Sequence, residues 1–304
     1  MIIAVLSDLH SNLLAFNAVL DDAQHQGAEE FWCLGDVVGY CPWPLQVWQG
    51  LHRLNIPPWG WVAGNHDWGL VGRLDEGNYI ILDRQKFQMG FFRPEASWVI
   101  ALHKDALQNQ APLLEHLASL PVVTSPRAGV YLVHGRFIYN DNDSTGCVIY
   151  YVRNQGEAEA CWQTLHDHPL PWDENAVRQR VSPEGWQSPR LMIVGHTHEP
   201  VLWQRDSRLP SNGRRWTRLS LPIDGWLSLE GLEDRPVLMN PGSVGQPRDG
   251  STLARYALLK WRSPEPPQLL IRQIQYRYDQ VQSEMRNQGY PEQLIDMLGP
   301  KRAH

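Results

Sequence analysis

Five short apolar stretches in this chain each run directly into side chains that bind metals. Asp8 and His10 follow the opening MIIAVLS, and Gly35-Asp36 follows residues 31–34. Gly64-Asn65-His66-Asp67 follows residues 61–63, His134 follows 130–133, and Gly195-His196-Thr197-His198 follows 191–194. Residues two apart on a strand point the same way, so Asp8 with His10, and His196 with His198, leave their strand ends together. In open α/β sheets the carboxyl ends of the strands form the ligand-binding edge. An isolated H-x-H would be a pair of satisfied loop histidines; five such ends in order demand an α/β fold that gathers them at one edge.

The linking sequence supports this. LLAFNAVLDDAQHQG has apolar residues at helical spacing, with Ser11 or Asn12 to cap the helix and Gly27 to end it. Gly35 lets the backbone turn sharply before Asp36 and leaves the carboxylate exposed at the strand end. Asp and His are hard-to-borderline ligands suited to Mn, Fe or Zn. A carboxylate such as Asp36 can span two cations, whereas Asn65 offers a neutral carbonyl oxygen.

Composition narrows the partners. At 304 residues the chain can bury a large core within one enzyme-sized unit. A net charge of -6 disfavours duplex DNA and anionic membranes, so neither a stable nucleic-acid complex nor a membrane partner is expected. Cys33, Cys41, Cys147 and Cys161 form no C-x-x-C pair, and free thiols in the cytoplasm are the expectation. MIIAVLSDLH lacks a basic n-region and is too short to span a bilayer, so it reads as a strand.

Other features have plain readings. WQRDSRLPSNGRRWTRL reads as a hairpin around Ser211-Asn212-Gly213 whose arginines lie on a solvated face. The HDH at 166–168 has ligand spacing but sits at the end of a helix over 157–167, which makes it a solvated helix terminus. His25, His52, His103 and His116 lie in polar, helix-like surroundings and read as surface residues. Most of the fourteen tryptophans fill or cover a core, and Trp43, Trp59, Trp61 and Trp68 stand near the motifs as candidates for stacking a base.

The motif set resembles the calcineurin-like metallophosphoesterases, whose pattern is D-x-H, G-D-x-x, G-N-H-[DE], a lone H and G-H-x-H. GDVVGYCPWP, NPGSVGQPRDG and the late YDQVQSEMRNQGYP resemble a bacterial and archaeal phosphodiesterase branch similar to dinucleoside polyphosphate hydrolases, with Cys41 where glycine is usual. The resemblance implies a four-layer α/β/β/α sandwich with a binuclear metal site at the strand C-terminal ends. It covers 1–304 as one metallophosphoesterase domain, with 137–190 a helical cap insertion and 264–304 a C-terminal strand-helix extension.

By motif, Asp8, His10, Asp36 and His198 would hold one divalent or trivalent ion, and Asp36, Asn65, His134 and His196 the other, Mn, Fe or Zn. Such an ion pair makes water the nucleophile, in keeping with the lack of a G-x-S-x-G signature. His66 is then expected to stabilise or protonate the leaving oxygen, with Asp67 orienting it. Arg248 pairs either with a substrate phosphate or with a nearby acid, and Tyr40 would offer an aromatic face to a base. The expected substrate is a small phosphodiester or phosphoanhydride, a dinucleoside polyphosphate among them. A scaffold of the same fold without catalysis and a nuclease are the alternatives.

Overall fold

The computed structural model describes residues 1–73, 94–138, 146–168, 179–181, 187–209, 215–262 and 264–300. Its architecture is a mixed α/β fold built on two sheets. The first sheet runs in the order β2 (Glu30–Cys33), β1 (Ile2–Leu6), β11 (Ala254–Lys260), β12 (Gln268–Ile274), β9 (Leu227–Ser228). The second runs β5 (Gln179–Val181), β3 (Val123–Arg127), β4 (Val130–Val133), β6 (Leu191–Ile193), β10 (Val237–Asn240), β7 (Val201–Arg205), β8 (Trp216–Arg218). β1 and β2 pair in parallel, as do β4 and β6, so the sequence-predicted ligand loops leave each sheet on one edge.

The strands alternate in what they bury. Ile3 and Val5 of β1 pack with Val130 and Leu132 of β4 and with Leu191 and Ile193 of β6 in a core shared by the two sheets. Ala4 and Leu6 face the other way, into a cluster with Phe16 and Val19 of α1 (Leu13–His25). That period of two yields helices outside and sheets inside, the four-layer sandwich. On the far side Tyr131, Val133 and Met192 meet Cys161 and Leu165 of a helix over Gln155–Asp167.

Helix α1 begins as its sequence directs, with the Asn12 side chain accepting from Ala15 N–H. Helices α2 (Pro44–Leu51) and α3 (Asn65–Leu70) follow the second and third ligand loops. Next come α4 (Pro94–Leu107) and α5 (Ala111–Ser119), then α6 (Gly146–Ile149) and α7 (Gln155–Asp167) between β4 and β5. Helices α8 (Tyr278–Asn287) and α9 (Glu292–Asp296) come last.

Residues 61–63 depart from the expected strand. Trp61 makes one parallel bridge with Cys33, after which Ala63 N–H donates to the Pro121 carbonyl and the chain leaves the sheet. β7 and β8 pair antiparallel as expected of the hairpin arms, while the turn at 211–213 lies outside the described residues. All four cysteines are free and buried. Among the described residues no helix is long and apolar enough to cross a membrane.

Candidate metal centre

The loops that leave β1, β2, β4 and β6 meet the start of α3 in one buried cluster. Asp8, His10, Asp36 and His198 offer ligand atoms that all lie within 4.8 Å of one another, and so do Asp36, His134 and His196. Asn65 joins the second set, its Oδ1 3.1 Å from His134 Nε2. All of these side chains are buried.

The backbone at the centre is unusual. Asp8, His10, Asp36, His196 and His198 have φ of 53°, 49°, 53°, 66° and 60°, left-handed values that cost a non-glycine residue of order 1–3 kcal/mol. Cross-loop hydrogen bonds hold them there: Asp8 N–H donates to Gly35 O at 3.1 Å and His10 N–H to Asp36 O at 2.9 Å. Gly64 is needed opposite Asp36, because a Cβ there would meet Asp36 Oδ1 at 2.1 Å. Asp67 locks the same junction, accepting from the N–H groups of Asp36, Val37, Val38 and Gly64 at 2.8–3.3 Å. Its carboxylate thus orients the loop that carries Asp36.

Whether cations fit is decided by the tautomers. His10 Nδ1 lies 3.1 Å from Val38 O and His198 Nδ1 2.6 Å from Gln246 O. A carbonyl only accepts, so both Nδ1 atoms carry hydrogen and both Nε2 atoms present lone pairs. Those two Nε2 atoms stand 3.1 Å apart. The second set repeats the arrangement with one ring reversed: His134 Nδ1 donates to Leu34 O at 2.7 Å and His196 Nε2 to Ile149 O at 3.0 Å. His134 Nε2 and His196 Nδ1 then stand 3.2 Å apart. The facing Nε2 lone pairs of His10 and His198, at 3.1 Å, repel unless a cation draws them together.

Asp36 occupies the point between the sets. Its Oδ1 accepts from His66 N–H at 2.8 Å, whereas its buried Oδ2 has no hydrogen-bond partner. That oxygen lies 3.6 Å from His10 Nε2 and 3.4 Å from His134 Nε2. Electrostatics agree with a place for positive charge. Burial by itself would push His134 down, but the Asp36 carboxylate overrides it and raises His134 to about 9. Burial likewise opposes ionisation of Asp36, yet the neighbouring His134 and His66 hold it well below the usual carboxylate range. His10, His196 and His198 are driven down by burial and stay neutral, the state in which imidazole ligates.

Residues 1–263 match the calcineurin-like phosphoesterase superfamily domain. The chain belongs to that superfamily. It is 31% identical over 256 residues to an uncharacterized protein of Methanocaldococcus jannaschii, covering 84% of this chain and 81% of that one. Among solved structures it is similar to a metallophosphoesterase from Sphaerobacter thermophilus, with 28% identity, 98% of both chains covered and a TM-score of 0.67. A hypothetical protein from Pyrococcus horikoshii shares the fold at 15% identity and a TM-score of 0.63, with 100% of this chain and 99% of that one covered. The phosphoesterase is a metal-dependent phosphoric ester hydrolase.

The remaining site residues border the phosphoesterase's metal centre. The buried His66 ring lies 4.8 Å from that of His10 and 4.7 Å from Tyr40, and burial lowers it to about 4. Arg248 Nη2 donates to Tyr40 Oη at 3.3 Å and to Gln246 Oε1 at 3.0 Å. Tyr40 is only 5% exposed, with its ring edge-on to His10 at 4.5 Å. It is therefore a wall of the centre, without the open face that base stacking needs. Trp61 and Trp68 are buried as well.

Two supports had no clear sequence signal. His103 is buried on α4: its Nδ1 accepts from Gly39 N–H at 3.4 Å and its Nε2 lies 3.4 Å from Tyr290 Oη. This corrects its reading as a surface residue; the partner Tyr290 lies 187 residues further along the chain. Gly39, at φ 108°, lets the loop pass so near His66 that a Cβ would meet its Nδ1 at 2.4 Å. The second support is Tyr151, stacked on His196 at 4.2 Å and 12°, with the Arg153 guanidinium 3.8 Å from its ring centre. His166, by contrast, pairs with Asp167 at the exposed end of α7.

Proposed function

We propose that this phosphoesterase is binuclear and hydrolyses a phosphodiester or a phosphoanhydride. The position of Asp36 Oδ2 carries the reading: it is buried, has no hydrogen bond of good geometry, and stands 3.6 Å from His10 and 3.4 Å from His134, which belong to different donor sets. Asp8, His10, Asp36 and His198 would hold one ion, and Asp36, Asn65, His134 and His196 the other, with Mn, Fe or Zn suited to these donors. Bound there, the ions would supply a nucleophilic water near neutral pH and balance the charge of the phosphoryl oxygens.

The protein's own groups do the rest. His66 is neutral in the resting site, and a phosphate arriving beside it raises its affinity for a proton. As the bond from water oxygen to phosphorus forms and the bond to the leaving oxygen breaks, the imidazolium passes its proton to that oxygen. Asp67 fixes the loop that presents His66 and Asp36, and Arg248 pairs with a further phosphate oxygen. The covered ring of Tyr40 supports selection by the phosphate groups, so a dinucleoside polyphosphate would be recognised through its phosphate chain. One domain over 1–304, with Ile149 and Tyr151 of the 137–190 segment against His196, suits this reading, and the free thiols suit a cytoplasmic location.

The test is hydrolysis of bis(p-nitrophenyl) phosphate, p-nitrophenyl phosphate and diadenosine tetraphosphate with Mn, Fe, Co, Ni, Zn or Mg supplied. Turnover of the diester or the anhydride is expected. Cleavage confined to the monoester would contradict the proposal.

A further inference from the structure

A cavity of about 680 Å³ opens beside the metal centre. It is lined by Thr197, which separates His196 and His198, and by Arg248. One wall consists of Tyr151 to Arg153, just after α6, and another of Arg218 on β8. A second cavity of about 450 Å³ is also lined by Arg153 and Arg218, so these two side chains stand where the spaces adjoin.

The chemistry of the walls selects the occupant. Tyr151 has one face on His196 and the other under the Arg153 guanidinium, which leaves no face for a base. Arg153 and Arg218 are exposed and make no ion pair among the described residues. Their neighbours on the basic hairpin behave differently: Arg205 and Arg215 share Glu159, and Arg208 pairs with Asp206. Two acids, Glu199 and Asp296, also line the cavity, both exposed. Three arginines around one space in a chain of net charge -6 form a local site for an anion.

We propose that this cavity takes the part of the substrate beyond the scissile phosphorus, as a second phosphate or carboxylate held by Arg153 and Arg218. The inference rests on the phosphoesterase reading above and sharpens its substrate class: a diester or anhydride that carries another negative group. A guanidinium matches either oxyanion with paired N–H donors.

Affinity, measured without turnover, tests it. Ethylphosphonate, 3-phosphonopropionate and propane-1,3-diphosphonate are titrated by calorimetry into the metal-loaded protein. The first has one anionic end, and the others add a carboxylate or a phosphonate. The second anion should tighten binding by roughly three- to tenfold, the range for exposed charge-assisted pairs. Arg218→Gln should erase most of that gain, and Arg153→Gln should do the same. Arg218 is the cleaner variant, because Arg153 also supports Tyr151. Equal affinities for the three ligands in the unaltered protein, or a gain that survives both substitutions, would overturn the inference. Hydrolysis of bis(p-nitrophenyl) phosphate is read separately: its absence with the anion preference intact would sink the catalytic reading and spare the cavity's.

Discussion

The two donor sets of the candidate metal centre are built alike in donors and unlike in support. His10, His198 and His134 are each fixed through Nδ1 by a carbonyl of a ligand loop or a sheet end: Val38, Gln246 and Leu34. His196 is turned round, fixed through Nε2 by Ile149 and stacked on Tyr151. Both supports of His196 come from the segment between β4 and β5, which also walls the adjoining cavity. The Asp8–His10–His198 set is therefore held by the loops that follow β2 and β10, and the His134–His196 set leans on the segment that also walls the cavity.

Separating chemistry from metal binding gives the largest expected effect. His66→Ala should keep both ions and lose about 10²–10⁴-fold in rate, the usual range for a general acid, with a smaller loss on substrates whose leaving group is good. Stopped assays across a leaving-group series check it. A uniform loss would reduce His66 to holding the phosphate.

Next comes the asymmetry itself. Tyr151→Ala should weaken the His134–His196 set by roughly 10–100-fold in metal affinity, the range for residues that orient a ligand. The Asp8–His10–His198 set should be little affected. Chelator competition followed by metal analysis resolves the two steps, and equal weakening of both would break the comparison.

The smallest effect concerns His103, which accepts from Gly39 N–H in the loop after Asp36. Burial lowers it to about 3, so the native protein leaves it neutral while the unfolded chain protonates it below about pH 6.5. Stability is thus lost as pH falls through that value, by at most about 2 kcal/mol at pH 5 from this residue. His103→Gln should flatten the pH dependence of urea unfolding between pH 6.5 and 5. An unchanged slope would mean that His103 is protonated in the native state.

What could be read in the sequence was what local spacing determines. Asp8 with His10 and His196 with His198 show themselves because they follow directly on apolar strands, although the loops that carry them are left-handed and His196 and His198 fall in different donor sets. The unbroken apolar run Ile2–Leu6 announces a strand buried on both faces, but which core Ile3 and Val5 enter, against Ala4 and Leu6, is set by the fold. The Ile149 carbonyl left no trace, because every residue carries one and only the fold decides which meets an imidazole. His103 sits between Leu102 and Lys104, and nothing local announces a partner as distant as Tyr290. Tyr40 reads in the sequence as an aromatic face for a base, but the rings of His10 and His66 that cover it are brought there by tertiary packing.

The proposed sharing of Asp36 between two ions is tested most directly by counting metal ions per chain, by elemental analysis, in the unaltered protein and in Asp36→Asn. Two ions should be found in the first and fewer than one in the second, because a neutral amide oxygen cannot bridge cations as a carboxylate does. Two ions retained in Asp36→Asn, with unaltered activity, would contradict the account.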